Sequence, residues 1–308
     1  MILRLARALL LVLAVSSSAL LLVQLAPGDA FSGFNIDPAA AQAERARFGF
    51  DRPLFEQYFT WLAKTARFEL GESSRFHRPV TGLLRERTGN SLLLGCAALL
   101  IAIGIGIPAG VLTGSHPRRW WSVAVRATAL VLVATPPLAT ALVLLLIAAT
   151  TGWFPTGGMG SGDRMSIGDV LVYVPLPALA LGLPIAASLE RMQSTAIRDA
   201  LFEPCVRAAR ARGVSTGRAV WVHAWRLSLA PIVGVLGVVV GSVLSGSFVV
   251  EIVMSWPGLG ELMYQALIAR DTYLAAGCAA AGALFLAAAV VCADIALVIV
   301  DPRTLDQR

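Results

Sequence analysis

The sequence predicts an all-α, polytopic membrane protein with six transmembrane helices, and three observations predict it. Apolar residues make up 57% of the chain and charged residues only 14%, more apolar surface than one soluble core of this length can hide. Six long windows carry no Asp, Glu, Lys, Arg or His. The basic residues fall unevenly among the segments that join those windows.

The windows run from Ala8 to Gly28, Thr88 to Ser115, Ala127 to Gly162, Val170 to Leu189, Leu227 to Val250 and Thr272 to Ala293. About 20 apolar residues cross the hydrocarbon core as a helix, so all six qualify. Their apolarity is continuous rather than alternating, which argues for helices over barrel strands in lipid. Six spans place both termini on one side. The first window follows Arg4 and Arg7 and contains Ser16, Ser17 and Ser18, a pattern a cleaved leader also shows. It is long enough to span and more spans follow, so residues 1–26 are read as the first transmembrane helix.

Residues 27–87 mix apolar and charged side chains and are read as a small extracytoplasmic domain. Within FEQYFTWLAKTARF, the residues Phe55, Tyr58, Phe59 and Leu62 are spaced to cover one helix face, and Pro53 suits its first turn. Docking of a binding protein is the alternative to a purely packing role for this face. Residues 88–308 form the remaining five-helix core. In its second and fifth spans the spacing of Gly106 with Gly110, and of Gly237, Gly241 and Ser245, gives small-xxx-small ladders that let backbones approach. The ladders serve packing within the chain or, for the fifth span, contact with a partner or the pathway. Pro108, Pro136 and Pro137 are expected to bend their helices or end regular hydrogen bonding. Asp294 is the one charge well inside a span, seven residues before Asp301, and is read as pairing with a loop Arg near the membrane edge.

Orientation follows from the basic residues. Arg4 and Arg7, then Arg118, Arg119 and Arg126, then Arg191, Arg198, Arg207, Arg210, Arg212, Arg218 and Arg226, and finally Arg303 and Arg308, all fall on one side. The third and fifth loops carry one each, Arg164 and Arg270. Both termini and residues 190–226 are therefore expected to be cytoplasmic, and residues 27–87 outside. The net charge of +6 is a topology signal, and no basic patch stands apart from the membrane flanks to suggest nucleic acid. Cys96, Cys205, Cys278 and Cys292 form no CxxC pair, and His77, His116 and His223 lie in different loops, so no metal site or disulfide is expected. No phosphate-binding loop of the G-x-x-x-x-G-K-[ST] type occurs, so the chain is not expected to be an enzyme or to hold a cofactor.

The segment 190–226 is the most informative. Asp199 and Glu203 precede a helix expected to begin near Pro204, where negative charge suits the dipole, and Arg207 and Arg210 follow Glu203 at i+4 and i+7 on one face. Ala208, Ala209 and Ala211 keep the helix thin enough to enter a groove, with Ala209 on the entering face. Gly213 is expected to end it in a left-handed turn. A solvated basic loop is the plainer reading.

Arg207, Ala208, Ala209 and Gly213, then His223, Arg226 and Pro231, resemble the cytoplasmic coupling loop of permease subunits in ABC importers. VRxARAxGxS followed by HAxR is similar to the dipeptide, oligopeptide and nickel branch. LAPGD at Leu25 to Asp29, FDRPL at Phe50 to Leu54, LGES at Leu70 to Ser73, TPPL at Thr135 to Leu138, GWFPTGG at Gly152 to Gly158, LPAL at Leu176 to Leu179, WPGLG at Trp256 to Gly260, RDTY at Arg270 to Tyr273 and DPR at Asp301 to Arg303 extend the resemblance along the chain. The resemblance implies a type I ABC importer permease fold in the cytoplasmic membrane of a bacterium or archaeon. It implies a second permease subunit, identical or homologous, two ATPase subunits that bind ATP, and an extracytoplasmic solute-binding protein. The loop would dock in a cleft of the ATPase. Arg207 stands where the family's loop carries Glu, and Pro204 with Cys205 where the branch carries Asp-Tyr, so the docking contacts differ in detail. Peptide, nickel and other small solutes all fit. An ion-coupled secondary transporter is the competing class. It would want ionisable residues near the midplane and inverted repeats.

Overall fold

The computed structural model describes residues 2–25, 38–67, 69–159 and 167–300. Arg164, the DPR motif, LAPGD beyond Leu25 and the side chain of Asp294 lie outside the described residues. Among the described residues every regular element is helical, with one isolated β-bridge between Glu72 and Pro79. The chain divides into two compact units, Met1–Ser91 with Pro257–Ala288, and Leu92–Trp256 with Ala289–Arg308.

The first unit contains α1 (Ile2–Leu25), α2 (Pro38–Phe48), α3 (Leu54–Thr65), the first turns of α4 (Val80–Ser115), α13 (Leu259–Ile268) and most of α14 (Thr272–Val300). Its centre is a knot of short motifs that lie far apart in sequence. Asp271 caps α14 through Leu274 N–H (3.1 Å), and its other oxygen accepts from the Ser73 hydroxyl (2.5 Å) and the Arg75 N–H (3.1 Å). A buried carboxylate is tolerable because three donors converge on it. Tyr273 stacks on Phe50 with ring centroids 5.6 Å apart and donates its hydroxyl to the Phe48 carbonyl. Gly71 sits at φ +87°, with Tyr273 against it at 3.4 Å from where a Cβ would project, so the turn admits only glycine without strain. Gln57 on α3 donates to the Arg52 carbonyl (2.8 Å) and accepts from Gln24 of α1 (2.8 Å), fixing the FDRPL turn to the first helix. The loop after residue 256 is held on α4: Asn90 donates to the Pro257 carbonyl (2.7 Å), and Ser91 accepts from Leu259 N–H (2.8 Å).

The second unit is organised around α8 (Pro175–Phe202). Against it pack α5 (Trp120–Ala134), α6 (Pro137–Thr151), α7 (Ile167–Tyr173), α11 (Trp225–Gly234) and α12 (Leu236–Val253). Leu94, Ala98, Ala102, Ala141, Leu181, Leu189 and Val243 belong to the buried core. The closest approach is between α4 and α8. A Cβ on Gly110 would lie 2.6 Å from the Glu190 carbonyl, and one on Gly114 2.5 Å from that of Ser194. Gly106 meets the Ala186 carbonyl in the same way. Glycines four residues apart thus bring one helix backbone onto the other. Gly182 of α8 returns the contact on the Ala98 carbonyl.

Among the described residues three helices, α4, α12 and α14, are long and apolar enough to cross a membrane. Six spans are expected from the sequence, and three of the other windows are broken helices. The third is two helices bent by 110°. Pro136 and Pro137 lack the N–H that a helix needs, and a residue before proline is driven out of the α region. Thr135 and Pro136 accordingly have extended angles, with ψ 119° and 149°. The fourth window breaks at Val174, between α7 and α8, and the fifth at Val235, between α11 and α12. Pro108, in contrast, lies inside an unbroken α4.

The α4–α8 seam has a direct test. Gly106→Ala is expected to push the helices apart and destabilise the purified subunit by about 1–3 kcal/mol. Gly104→Ala, which meets open space, is expected to be neutral or to stabilise by up to about 1 kcal/mol through helix propensity. Melting of both variants at the wild-type temperature would contradict the seam.

Candidate coupling site

The cytoplasm-facing segment expected from the sequence is built on the end of α8. Helix α8 stops at Phe202, because Glu203 is extended (ψ 139°) ahead of Pro204. A short helix, α9 (Pro204–Ala211), then begins with proline in its first turn, where no N–H is required. It ends as a complete Schellman motif: Gly213 N–H donates to the Arg210 carbonyl (3.0 Å), Val214 N–H to that of Ala209 (3.2 Å), and Gly213 adopts φ +90°. The chain re-enters helix at α10 (Thr216–Arg218), winds through a π-helical stretch over Ala219–Ala224, and continues as α11.

Two residues of α9 are buried, Val206 and Ala209. Val206 packs with Val111 of α4, Ile197 and Ala200 of α8, and Ala219, Val220 and Ala224 of the π stretch. Burial at i and i+3 defines the inner face of a helix. Glu203, Arg207, Ala208, Arg210, Ala211 and Arg212 are exposed, so the opposite face is basic and unoccupied by this chain. The placement of Ala209 on the entering face is therefore corrected. It is only 3% exposed, and the face open to a partner is that of Arg207, Ala208, Arg210 and Ala211. The sequence could not distinguish these alanines, because only the position of α4 and the π stretch decides which side of α9 is covered. No ion pair joins Glu203 to Arg207 among the described residues.

The other predicted site residues separate into two places. His223 is half-buried in the π stretch and Arg226 is exposed in the first turn of α11, both beyond the turn that follows α9. Gly237 and Gly241 are half-buried and Ser245 is exposed on α12. A Cβ on Gly237 would meet Val290 and Ala293 of α14 at 3.9 Å, an ordinary contact, so Gly237 does not make a tight backbone approach.

Sequence reasoning missed a polar layer between α4, α8 and α11. Glu190, 2% exposed, accepts from the Thr113 hydroxyl, and Gln193 donates to Ser228 (2.7 Å). The second carboxylate oxygen of Glu190, the amide oxygen of Gln193 and the hydroxyl of Ser194 are buried without a hydrogen-bond partner among the described residues. The apolar window was closed at Leu189 because Glu190 is ionisable. The signal was its spacing from Gln193, Ser194 and Ile197, which is that of one helix face opposite Gly106, Gly110 and Gly114.

Comparison with known proteins places this arrangement. The family described as "Binding-protein-dependent transport system inner membrane component" matches residues 106–306, which include the coupling segment. The chain belongs to this family. It is the permease subunit of an ABC importer, of the peptide and nickel branch. A Brucella suis biovar 1 (strain 1330) protein named provisionally as a peptide permease is 34% identical over 95% of this chain and 94% of its own length. The oligopeptide transport system permease protein AppB of Bacillus subtilis (strain 168) is 31% identical over 95% of both chains. The glutathione transport system permease protein GsiC of Escherichia coli O6:H1 is 31% identical over 83% of this chain and 82% of its own length. A permease of this family is a multi-pass inner-membrane component that works with a binding protein and an ATPase.

The two faces of α9 are separable in experiment. Ala209→Glu buries a charge against the chain's own core and is expected to lower the amount of folded subunit. Ala208→Glu is expected to leave folding unchanged and to weaken capture of the ATPase. Gly213→Val is expected to cost on the order of 1–2 kcal/mol at its left-handed backbone, and Gly213→Asn less. Melting temperature and ATPase co-purification of these variants check both expectations.

Proposed function

We propose that this permease imports peptides or a related small solute, forming half of the translocation pathway. The observation that carries this reading is near full-length similarity to relatives named for peptide, oligopeptide and glutathione transport. The second half is a second permease subunit, identical or homologous. Two ATPase subunits bind the ATP, and a solute-binding protein delivers cargo from outside, so the chain itself holds no nucleotide and catalyses no hydrolysis.

In this reading α1, α4, the α5–α6 pair, α7–α8, α11–α12 and α14 are the six spans, with interrupted helices counted as broken spans. Both termini and residues 190–226 face the cytoplasm, and residues 27–87 form the outer scaffold. The basic outer face of α9 enters the ATPase cleft, with Arg207 in the position of the family's Glu. The extended link at Glu203 and the Schellman turn at Gly213 support this role because they bound the short helix at its two ends. His223 and Arg226 complete the coupling element, and Gly237, Gly241 and Ser245 face the partner permease or the pathway.

Three measurements test the proposal. Uptake by the reconstituted complex is expected to require ATP, the ATPase and the binding protein, and uptake driven by an ion gradient without nucleotide would overturn it. In a cysteine-free background, Asp51→Cys is expected to react with an impermeant thiol reagent from outside intact cells and Thr216→Cys is not. The reverse pattern would invert the topology. Arg207→Glu with Arg210→Glu is expected to reduce ATPase capture at least tenfold with melting unchanged, on the order of 1.4 kcal/mol of binding. Identification of the solute that co-purifies with the binding protein fixes the substrate.

A further inference from the structure

Helix α3 carries two unlike faces. Its inner face holds Trp61, which packs with Leu20 of α1 and Ala276 of α14, with Tyr58 and Leu62 beside it. The Tyr58 hydroxyl lies 3.1 Å from that of Ser17, and Gln57 accepts from Gln24. Its outer face leaves Phe55 72% and Phe59 50% exposed, their ring centroids 4.6 Å apart, with Leu54 also exposed.

The contacts of the inner face fix the depth of α3. The apolar run from Ala8 to Leu25 is only about 27 Å long as a helix, barely the thickness of the hydrocarbon core, so Leu25 cannot stand far above its edge. Leu20 then lies about 7 Å inside that edge and Ser17 about 12 Å. Ala276 lies about 6 Å inside the start of α14 at Thr272. The Trp61 contact therefore lies in the outer part of the hydrocarbon core and the Tyr58 hydroxyl reaches deeper, which places α3 against the membrane rather than above it in water. The exposed rings are one turn away on the same short helix. Leu21, Leu22 and Leu25, close in sequence to the α3 partners Leu20 and Gln24, are exposed as the lipid-facing surface of a span would be. Arg52, Lys64 and Arg67 are exposed around α3 together with Asp51, Glu56 and Glu69, a charged flank of mixed sign.

We propose that α3 is an interfacial helix whose Leu54, Phe55 and Phe59 face is seated in the lipid of the outer leaflet. The outer scaffold is thereby anchored to the bilayer beside α1 rather than standing in water. An exposed aromatic pair would otherwise be an unexplained apolar patch on an extracytoplasmic surface. The inference rests on the reading of α1 as a span with Leu25 at its outer end.

The test uses the full complex in liposomes, with Cys96, Cys205, Cys278 and Cys292 replaced and a nitroxide attached at Phe55→Cys, Phe59→Cys or Leu22→Cys. Collisions with oxygen are expected to exceed those with a water-soluble nickel chelate at all three positions. A Leu22 label in lipid with Phe55 and Phe59 labels open to the chelate would overturn the seating of α3 alone. A Leu22 label open to the chelate would overturn the span reading and the proposal with it. Labels shielded from both reagents would assign the face to a protein partner instead, which also overturns the proposal. Where labelling impairs assembly, p-benzoylphenylalanine at Phe59 replaces a ring by a ring. Its photoproduct is expected to gain the mass of a phospholipid, and a crosslink to the binding protein or the second permease contradicts the proposal.

Discussion

The second unit depends on the contact between the backbones of α4 and α8. Three glycines one turn apart remove the side chains that would hold two helices at an ordinary separation. Helix α4 then lies against the carbonyls of Ala186, Glu190 and Ser194. Because α5, α6, α7, α11 and α12 pack on α8 as well, this seam fixes the axis to which they are all referred. It also fixes α9, since Val206 is buried against Val111 of α4 and Ile197 of α8 together. Helix α9 is thus packed against two long helices at once.

The same seam contains the polar layer of Glu190, Gln193, Ser194, Thr113 and Ser228. Thr113 ties α4 to α8, and Ser228 ties α11 to α8. Each unpaired buried oxygen costs on the order of 1–3 kcal/mol, so these groups do not maximise stability. They lie between α4, α8 and α11, where a hydrogen-bonded layer admits only discrete registers between helices while an apolar one would slide. Glu190 is an ionisable group buried within this core, near the middle of α8.

The first unit shows why several short motifs that are individually weak occur together in one chain. Ser73 of LGES and Asp271 of RDTY form one hydrogen bond, Gly71 of the first faces Tyr273 of the second, and Tyr273 stacks on Phe50 of FDRPL. The motifs therefore amount to a single packing solution. It joins the segment from Phe48 to Arg75 to the start of α14 through a capped helix end.

Composition and local pattern determined the helical membrane class, the position of the short helix from Pro204 and the left-handed turn at Gly213. These rest on apolar run length, on proline's missing N–H and on glycine's freedom at positive φ, all properties of a few neighbouring residues. The break at Pro136 and Pro137 was legible on the same ground. Tertiary structure decided the rest. Whether Ala208 or Ala209 faces outward, whether the tight glycine seam is in α4 or α12, and whether Glu190 ends a span or lies buried beside one depend on which helix is adjacent. The break at Val174 directly precedes Pro175, whereas the one at Val235 has no proline beside it. A sequence specifies the faces of a helix only up to the choice of neighbour, and in an apolar chain most faces look alike until packing makes that choice.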